Sequence, residues 1–257
     1  MSGRRKEALR IDTDRPEINT TCLNMVLPIC MKQMTQQRPL PRYENDTADL
    51  ESIIRGLCER HKIAEPEVAK SIALASGYGD VLILLERPSM DHDYDDDLET
   101  FVERSPVLQG VDELIKTATR GSRSIFDTVV LDVFPFKPKG RSYPSDEECY
   151  EATEQIIRKK KPRVVLRCCA NIDPQHSLYR FNATSPSTKP TVRSANIQET
   201  TVQFIPSFHP GCCSNHVTWS AKLRLLLVYH FILAFCSTIP RPLMPRWSLS
   251  ILFEPQV

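Results

Sequence analysis

Four short apolar runs, separated by segments with helical spacing, constrain the fold of this chain more than any other feature. Each run is continuous rather than alternating, which is typical of a strand covered on both faces of a sheet. The runs occupy 80–85, 128–134, 163–166 and 201–205. Strands that alternate with helices are joined by crossover connections and therefore lie parallel. The sequence predicts an α/β fold of three layers, with helices on both faces of a four-stranded parallel sheet.

The domain is expected to follow an arm and to precede a tail. Residues 1–45 are polar, dotted with prolines and without period, which predicts a flexible arm. Helical spacing begins after Asp46 or Thr47, either of which could cap a first helix. The predicted domain is therefore 46–236, and 237–257 is predicted to be an irregular tail. A chain of 257 residues has room for one domain of this size.

The last helical segment, 219–235, is strongly apolar but short for a membrane span. A helix needs about 20 apolar residues to cross a bilayer, so we expect a buried helix and no membrane association. The charged start of the chain is not followed by an apolar stretch, which argues against a signal peptide. The nine cysteines lack metal-ligand spacing and are interpreted as reduced thiols. We therefore expect an intracellular protein, in the nucleus or the cytoplasm, without a metal site.

The candidate site is expected just after the apolar runs, because ligands of parallel sheets sit beyond the carboxyl ends of the strands. After the first run, Glu86 leaves the strand and Pro88 forces an extended turn. A carboxylate in this position could activate a water or stabilise a cationic sugar. Alternatively, it is a surface acid paired with Arg87.

The second strand end carries a carboxylate and a basic loop. Asp132 lies within an apolar run, where a carboxylate needs a partner, and Lys137, Lys139 and Arg141 follow it. The loop could hold phosphates, or it could be a solvated loop paired with Asp132. The net charge of the whole chain is only +1, so a surface for nucleic acid would have to be local.

A histidine marks the end of the fourth run. His209 follows the apolar residues closely and is held by Pro210. It is well placed to donate a hydrogen bond to a ligand. It could equally be a structural histidine whose hydrogen bonds are satisfied within the protein.

Five segments, taken in order, resemble the uracil-DNA glycosylase superfamily. They are LERPS, VLDVFPFKP, GRSYPSDEE, KKPRVVL and FHPG. The resemblance covers residues 78–236 and implies a uracil-DNA glycosylase-like fold. It also implies a monomer that flips a damaged base, uracil or a deaminated base, out of DNA and hydrolyses its N-glycosidic bond. No cofactor is implied, because Phe136 stands where some branches have a cysteine ligand of an iron–sulfur cluster.

The resemblance assigns roles to individual residues. Glu86 falls on the acid that would position water or stabilise the sugar cation. His209 falls on the histidine that donates to the uracil oxygen as negative charge develops there. Base-binding roles fall on Pro88, Asp132 and Phe101, the last as an aromatic platform. DNA contacts would come from Lys137, Lys139, Arg141, Ser207 and Gly211.

Several departures leave a second hypothesis open. Leu85 and Ser89 replace both glycines of the first turn, and Asp132 replaces a base-reading asparagine. An ionised aspartate accepts the N3 proton of uracil but faces O4 with another acceptor, so a protonated Asp132 or a base with an exocyclic amine would restore the pairing. The acidic run 91–99 would repel DNA phosphates and is interpreted as a solvated loop. The alternative is an inactive glycosylase-like module that binds nucleic acid or a protein partner.

Overall fold

The computed structural model describes residues 47–88, 92–136, 143–169, 193–197, 200–211 and 220–237. Several sequence predictions lie outside these residues, so they stay predictions. They are the arm 1–45, the tail from residue 238, Ser89 and the basic side chains Lys137, Lys139 and Arg141.

Six α-helices and five strands make up the described part of the chain. The helices are α1 (Thr47–His61), α2 (Glu65–Ala75), α3 (Leu98–Arg104), α4 (Pro106–Thr119), α5 (Asp146–Lys160) and α6 (Ser220–Ser237), with a 3₁₀ turn at Ile125–Asp127 before β2. The strands are β1 (Tyr78–Leu85), β2 (Thr128–Asp132), β3 (Val164–Arg167), β4 (Arg193–Ile197) and β5 (Thr200–Pro206).

The strands form one sheet in the order β2-β1-β3-β5-β4. The four strands predicted from the apolar runs are parallel neighbours, and this confirms the α/β class. The prediction of a purely four-stranded parallel sheet is wrong, because β4 pairs antiparallel with β5 at one edge. An edge strand needs no continuous apolar run. In β4, Ser194 and Asn196 are exposed while Ile197 is buried, so the apolar pattern did not reveal it.

Helices cover both faces of the sheet. Along β1, Val81 and Ile83 belong to one apolar cluster while Leu82 and Leu84 belong to another, as expected when successive side chains point to opposite faces. The first cluster is completed mainly by α4 and α6, and the second by α1 and α5. Helix α2 contributes to both. The apolar runs are thus strands buried on two sides, in a three-layer arrangement.

Local signals in the sequence explain where several helices begin. Helix α5 begins with the predicted capping box, in which the Ser145 hydroxyl accepts from the Glu148 N–H at 3.3 Å. The Glu148 carboxylate in turn accepts from the Ser145 N–H at 3.0 Å. Helix α2 has proline in its first turn, where the missing N–H costs nothing. These short-range bonds set the helix starts independently of tertiary packing.

The last helix, α6, is a core element. Its residues 226–235 are all buried, as the sequence predicted for an apolar helix of this length. Among the described helices, none combines the length and apolar character needed to span a bilayer. The helix packs against α4, and an exposed pair between Arg224 and Glu113 at 2.7 Å joins the two.

A buried ion pair holds the end of the sheet at which β1 begins. Both oxygens of the Asp80 carboxylate accept hydrogen bonds from Arg123, at 2.7 and 2.9 Å. The Arg123 guanidinium also lies 5.5 Å from the ring centroid of Tyr78 and 5.6 Å from that of Phe235. The pair therefore ties β1, the segment after α4, and α6 together at the end opposite the carboxyl ends of the strands.

Candidate functional site

A cavity of about 200 Å³ lies at the carboxyl ends of β1 and β2. Four residues that the sequence singled out line it. They are Pro88 after β1, Phe101 on α3, Asp132 at the end of β2 and His209 after β5. A cavity of roughly 150 Å³ can hold a benzene ring, so this one is large enough for a small aromatic ring. The turns after the first and fourth predicted strands therefore meet at a common hollow.

Asp132 is the acid of the cavity and is half-buried as a whole residue. It pairs with Leu85 across β1 and β2, and its Oδ1 atom is shielded from solvent with no hydrogen-bond partner among the described residues. Burial is the main reason why the pKa of this carboxyl rises to about 7. Nearby Glu86 raises the pKa further and Arg87 opposes the shift. The protonated acid is therefore well populated at neutral pH.

His209 is presented as a neutral hydrogen-bond donor. Its Nδ1 atom accepts from the Gly211 N–H at 3.2 Å, and burial lowers the pKa of the ring although Glu86 opposes this. A neutral imidazole that accepts at Nδ1 carries its proton on Nε2. Gly211 is buried, and a Cβ added there would lie 3.1 Å from the Nδ1 atom of His209. A side chain at this position would therefore require His209 to shift by a few tenths of an ångström, while the predicted DNA contact of Gly211 stays a prediction.

Glu86 lies beside the cavity rather than in its lining. Its backbone carbonyl accepts from the Phe134 N–H at 2.9 Å, which ties the end of β1 to the loop after β2. Its carboxylate raises the pKa of both Asp132 and His209, so it lies near both. It is, however, not among the residues that line the cavity, whereas neighbouring Leu85 is. In the superfamily that this sequence resembles, a glycine stands at the position of Leu85. Here the leucine forms part of the cavity wall.

The buried side chain of Ser207 makes its hydrogen bond within the protein. Its hydroxyl lies 2.9 Å from the Nδ1 atom of His230, and its N–H donates to the Arg167 carbonyl at 2.7 Å. His230 is fully buried, and burial lowers its pKa to about 3. The contact between Ser207 and His230 attaches the loop that contains His209 to helix α6. The DNA contact predicted for Ser207 stays a prediction. Its side chain is buried in this structure.

Two aromatic residues of the cavity were not identified from the sequence. His92 and Tyr94 line it together with Phe101, with ring centroids 4.7 Å and 5.3 Å from that of Phe101. Edge and tilted contacts of this kind are favourable arrangements for aromatic rings. Both residues lie in the acidic run 91–99. Because the sequence predicted a solvated loop there, they were not expected to line a site. The rings form one aromatic wall in which Phe101 is the buried centre.

The described acidic residues near this wall build local structure. Asp97 caps α3 by accepting from the Thr100 N–H at 2.8 Å, and Asp96 pairs with Arg104 at 2.9 Å. Asp93 accepts from the N–H of Asp95 at 3.1 Å. No group of three or more histidine, cysteine or acidic residues suited to a metal ion occurs within the part of the chain that the structure describes.

Arg167 is a third residue that the sequence did not mark. It ends β3 and is buried, with 4% of its surface exposed. Its charge acts on the adjacent Cys169 thiol, and so do those of Glu86 and Asp132. Burial dominates there and raises the pKa of Cys169 to about 12. Cys168 and Cys169 are both free, buried thiols.

Two comparisons with known proteins identified no relative of this chain. The sequence matches no protein-family model, and a search of curated proteins returned no match. The assignment of function therefore depends on the geometry of the cavity.

Proposed function

We propose that this chain is a DNA-base glycosylase that hydrolyses the N-glycosidic bond of a flipped damaged base. The observation that carries the proposal is the shared cavity, to which Pro88, Phe101, Asp132 and His209 contribute from four separate segments. Its volume suits one aromatic ring, and its floor combines apolar, aromatic and polar side chains. This is the kind of pocket that base-flipping enzymes use to read an extruded base.

The polar groups of the cavity match the edge of a pyrimidine. A protonated Asp132 offers one donor and one acceptor, which complements O4 and N3–H of uracil. An ionised Asp132 offers acceptors alone and would favour a base with an exocyclic amine. Because the pKa of Asp132 is about 7, pH would select between these two classes of base.

His209 and Glu86 supply the chemistry in this proposal. The departing base becomes an anion, and the Nε2–H of a neutral His209 would donate to the oxygen where this charge develops. Glu86, beside the cavity, would orient the attacking water or stabilise the cationic sugar. Removal of one such charge-stabilising donor lowers rates by about 10²–10³ in comparable sites.

The test is excision from single- and double-stranded oligonucleotides that carry uracil, hypoxanthine or xanthine. We expect activity on at least one base and a loss of about a hundredfold or more in His209→Ala. A matched control is His61→Ala, which removes a histidine that contacts Glu148 far along the sequence and should leave excision unchanged. Excision that persists in a Glu86→Gln, His209→Ala double variant would refute the assigned roles.

A second candidate function is a glycosylase-like binding module without chemistry. It is favoured by the position of Glu86, which does not line the cavity, and by Leu85, which does. Such a module would bind nucleic acid or a protein partner. Salt-sensitive DNA binding without excision would support the nucleic-acid version, and no DNA binding at low salt would point to a protein partner.

A further inference from the structure

Two positive side chains line the cavity without forming a salt bridge to any described residue. They are Lys70, half-buried on α2, and Arg87, exposed just after β1. Arg104 and Arg123, by contrast, are paired with Asp96 and Asp80. Positive charge at the edge of a ring-sized hollow, held in no salt bridge within the described residues, is well placed to bind an anion that the ligand brings.

The segments that carry the two cations are both attached to the residues that follow β2. The Arg87 guanidinium lies 4.8 Å from the ring centroid of Phe134, an arrangement that orients its plane and its donors. Next to Lys70, the Ser71 hydroxyl donates to the Pro135 carbonyl at 3.3 Å. Helix α2 and the turn after β1 are therefore both attached to the short segment that follows β2. Pro135 itself lines the cavity.

The positive charge of Arg87 reaches the interior of the cavity. It lowers the pKa of Asp132, against the larger effect of burial. The site thus has a polar base-reading end at Asp132 and His209, an aromatic wall, and a cationic edge. A ring joined to an anionic group would satisfy all three.

We infer that Lys70 and Arg87 form a phosphate subsite, so that the ligand is a nucleotide with its base in the cavity and its phosphate at these two cations. The inference rests on the proposed function in that it takes the ring to be a nucleobase. A planar guanidinium beside an ammonium is well suited to phosphate oxygens. A free nucleoside monophosphate and the DNA backbone offer this same chemistry.

The test compares binding of 2′-deoxyuridine with that of 2′-deoxyuridine 5′-monophosphate by calorimetry on the full chain. We expect the nucleotide to bind about tenfold or more tightly, as charge-assisted hydrogen bonds would provide. Arg87→Gln and Lys70→Gln should each remove most of this advantage. The titrations are made below the pKa of Asp132, where its carboxyl is protonated with or without the charge of Arg87, so the ratio of the two affinities reports on the phosphate. Arg87→Lys should retain part of it, and Lys62→Gln, an exposed lysine outside the cavity lining, should retain all of it.

Nucleoside binding that persists in each variant shows that the fold and the base pocket survive the substitution. Equal affinity for nucleoside and nucleotide in the unaltered protein, no binding of either, or a nucleotide advantage that neither Gln variant reduces would each overturn the phosphate subsite. A single-stranded oligonucleotide containing deoxyuridine distinguishes the two sources. If it binds more tightly than the monophosphate, the phosphate comes from DNA. If the monophosphate binds and the oligonucleotide does not, the subsite stands and the DNA glycosylase proposal fails.

Discussion

At the scale of single residues, Asp132 has the clearest dependence on its surroundings. In the sequence it is an acid at the end of an apolar run, with an open choice between a surface ion pair and a buried role. In the structure its Oδ1 atom is shielded from solvent, and burial raises its pKa to about 7. Below this pKa, Asp132 therefore presents one hydrogen-bond donor and one acceptor, as an asparagine does. Above it, Asp132 presents two acceptors.

Asp132→Asn is expected to remove a pH dependence of ligand binding. The unaltered protein should bind deoxyuridine best below the pKa of about 7, where the carboxyl is protonated, and progressively more weakly above it. Asparagine keeps one donor and one acceptor at every pH, so the variant should bind with little change across the same range. Calorimetric titrations at several pH values measure this. Asp146→Asn, at an exposed helix start, is the control and should keep the original profile, whereas a wild-type affinity independent of pH would contradict the role of Asp132.

At the scale of elements, helix α5 is joined to α1 through one carboxylate. Glu148 lies 3.0 Å from the Nε2 atom of His61 and 3.1 Å from Arg60, and it also completes the capping box. The hydrogen bond with His61, and next the Ser145 N–H, lower the pKa of Glu148 from 4.5 to about 2. One short side chain thereby stabilises both a helix start and a helix–helix contact.

Loss of this carboxylate should change how stability responds to acid. A folded pKa below the unfolded value means that the stabilisation is present above about 4.5 and is lost as the pH falls toward about 2. Glu148→Gln should therefore lower the free energy of unfolding at neutral pH and flatten its decline in acid, as measured by urea unfolding across this range. Glu147→Gln, the exposed neighbour, is the matched control. If Glu148→Gln and Glu147→Gln changed the pH dependence of the free energy of unfolding equally, the lowered pKa of Glu148 would not be its cause.

The cap of α5 can be tested separately at the same scale. Ser145→Ala removes the side-chain acceptor for the Glu148 N–H and should cost about 1 kcal/mol in the free energy of unfolding. Ser145→Asp keeps an acceptor and should restore most of the loss. If alanine were as stable as serine in urea unfolding, the hydrogen bond would be contributing little.

At the scale of the whole molecule, the Asp80–Arg123 pair joins elements that are distant in sequence. The two side chains are 1% and 10% exposed, so removing either partner leaves a buried charge. Asp80→Asn is expected to lower the free energy of unfolding by about 3–5 kcal/mol. Breaking the exposed Arg224–Glu113 pair with Glu113→Gln should cost less than about 1 kcal/mol. Chemical denaturation of both variants measures the difference, and similar losses would mean that the buried pair does not anchor the fold.

The extent of sequence prediction can be judged from particular elements. The apolar runs located β1, β2, β3 and β5 to within a few residues, because strands buried on both faces are apolar throughout. The edge strand β4 escaped, since it has one covered face and its residues are mostly polar. In the cavity, Pro88, Asp132 and His209 were found because they follow strands. His92 and Tyr94 of the cavity, and the buried Arg167 at the end of β3, were not found, since nothing in their local sequence distinguishes them from loop or strand residues.

The sequence by itself determined the class of fold and the starts of several helices, because apolar periodicity and capping bonds act between residues close in the chain. Only the tertiary structure decided which side chains share the cavity. It brought His92 and Tyr94 against Phe101, placed Glu86 beside the hollow, and buried Asp132 deeply enough to raise its pKa. Those properties come from the exclusion of water by distant elements, which no local pattern of residues specifies.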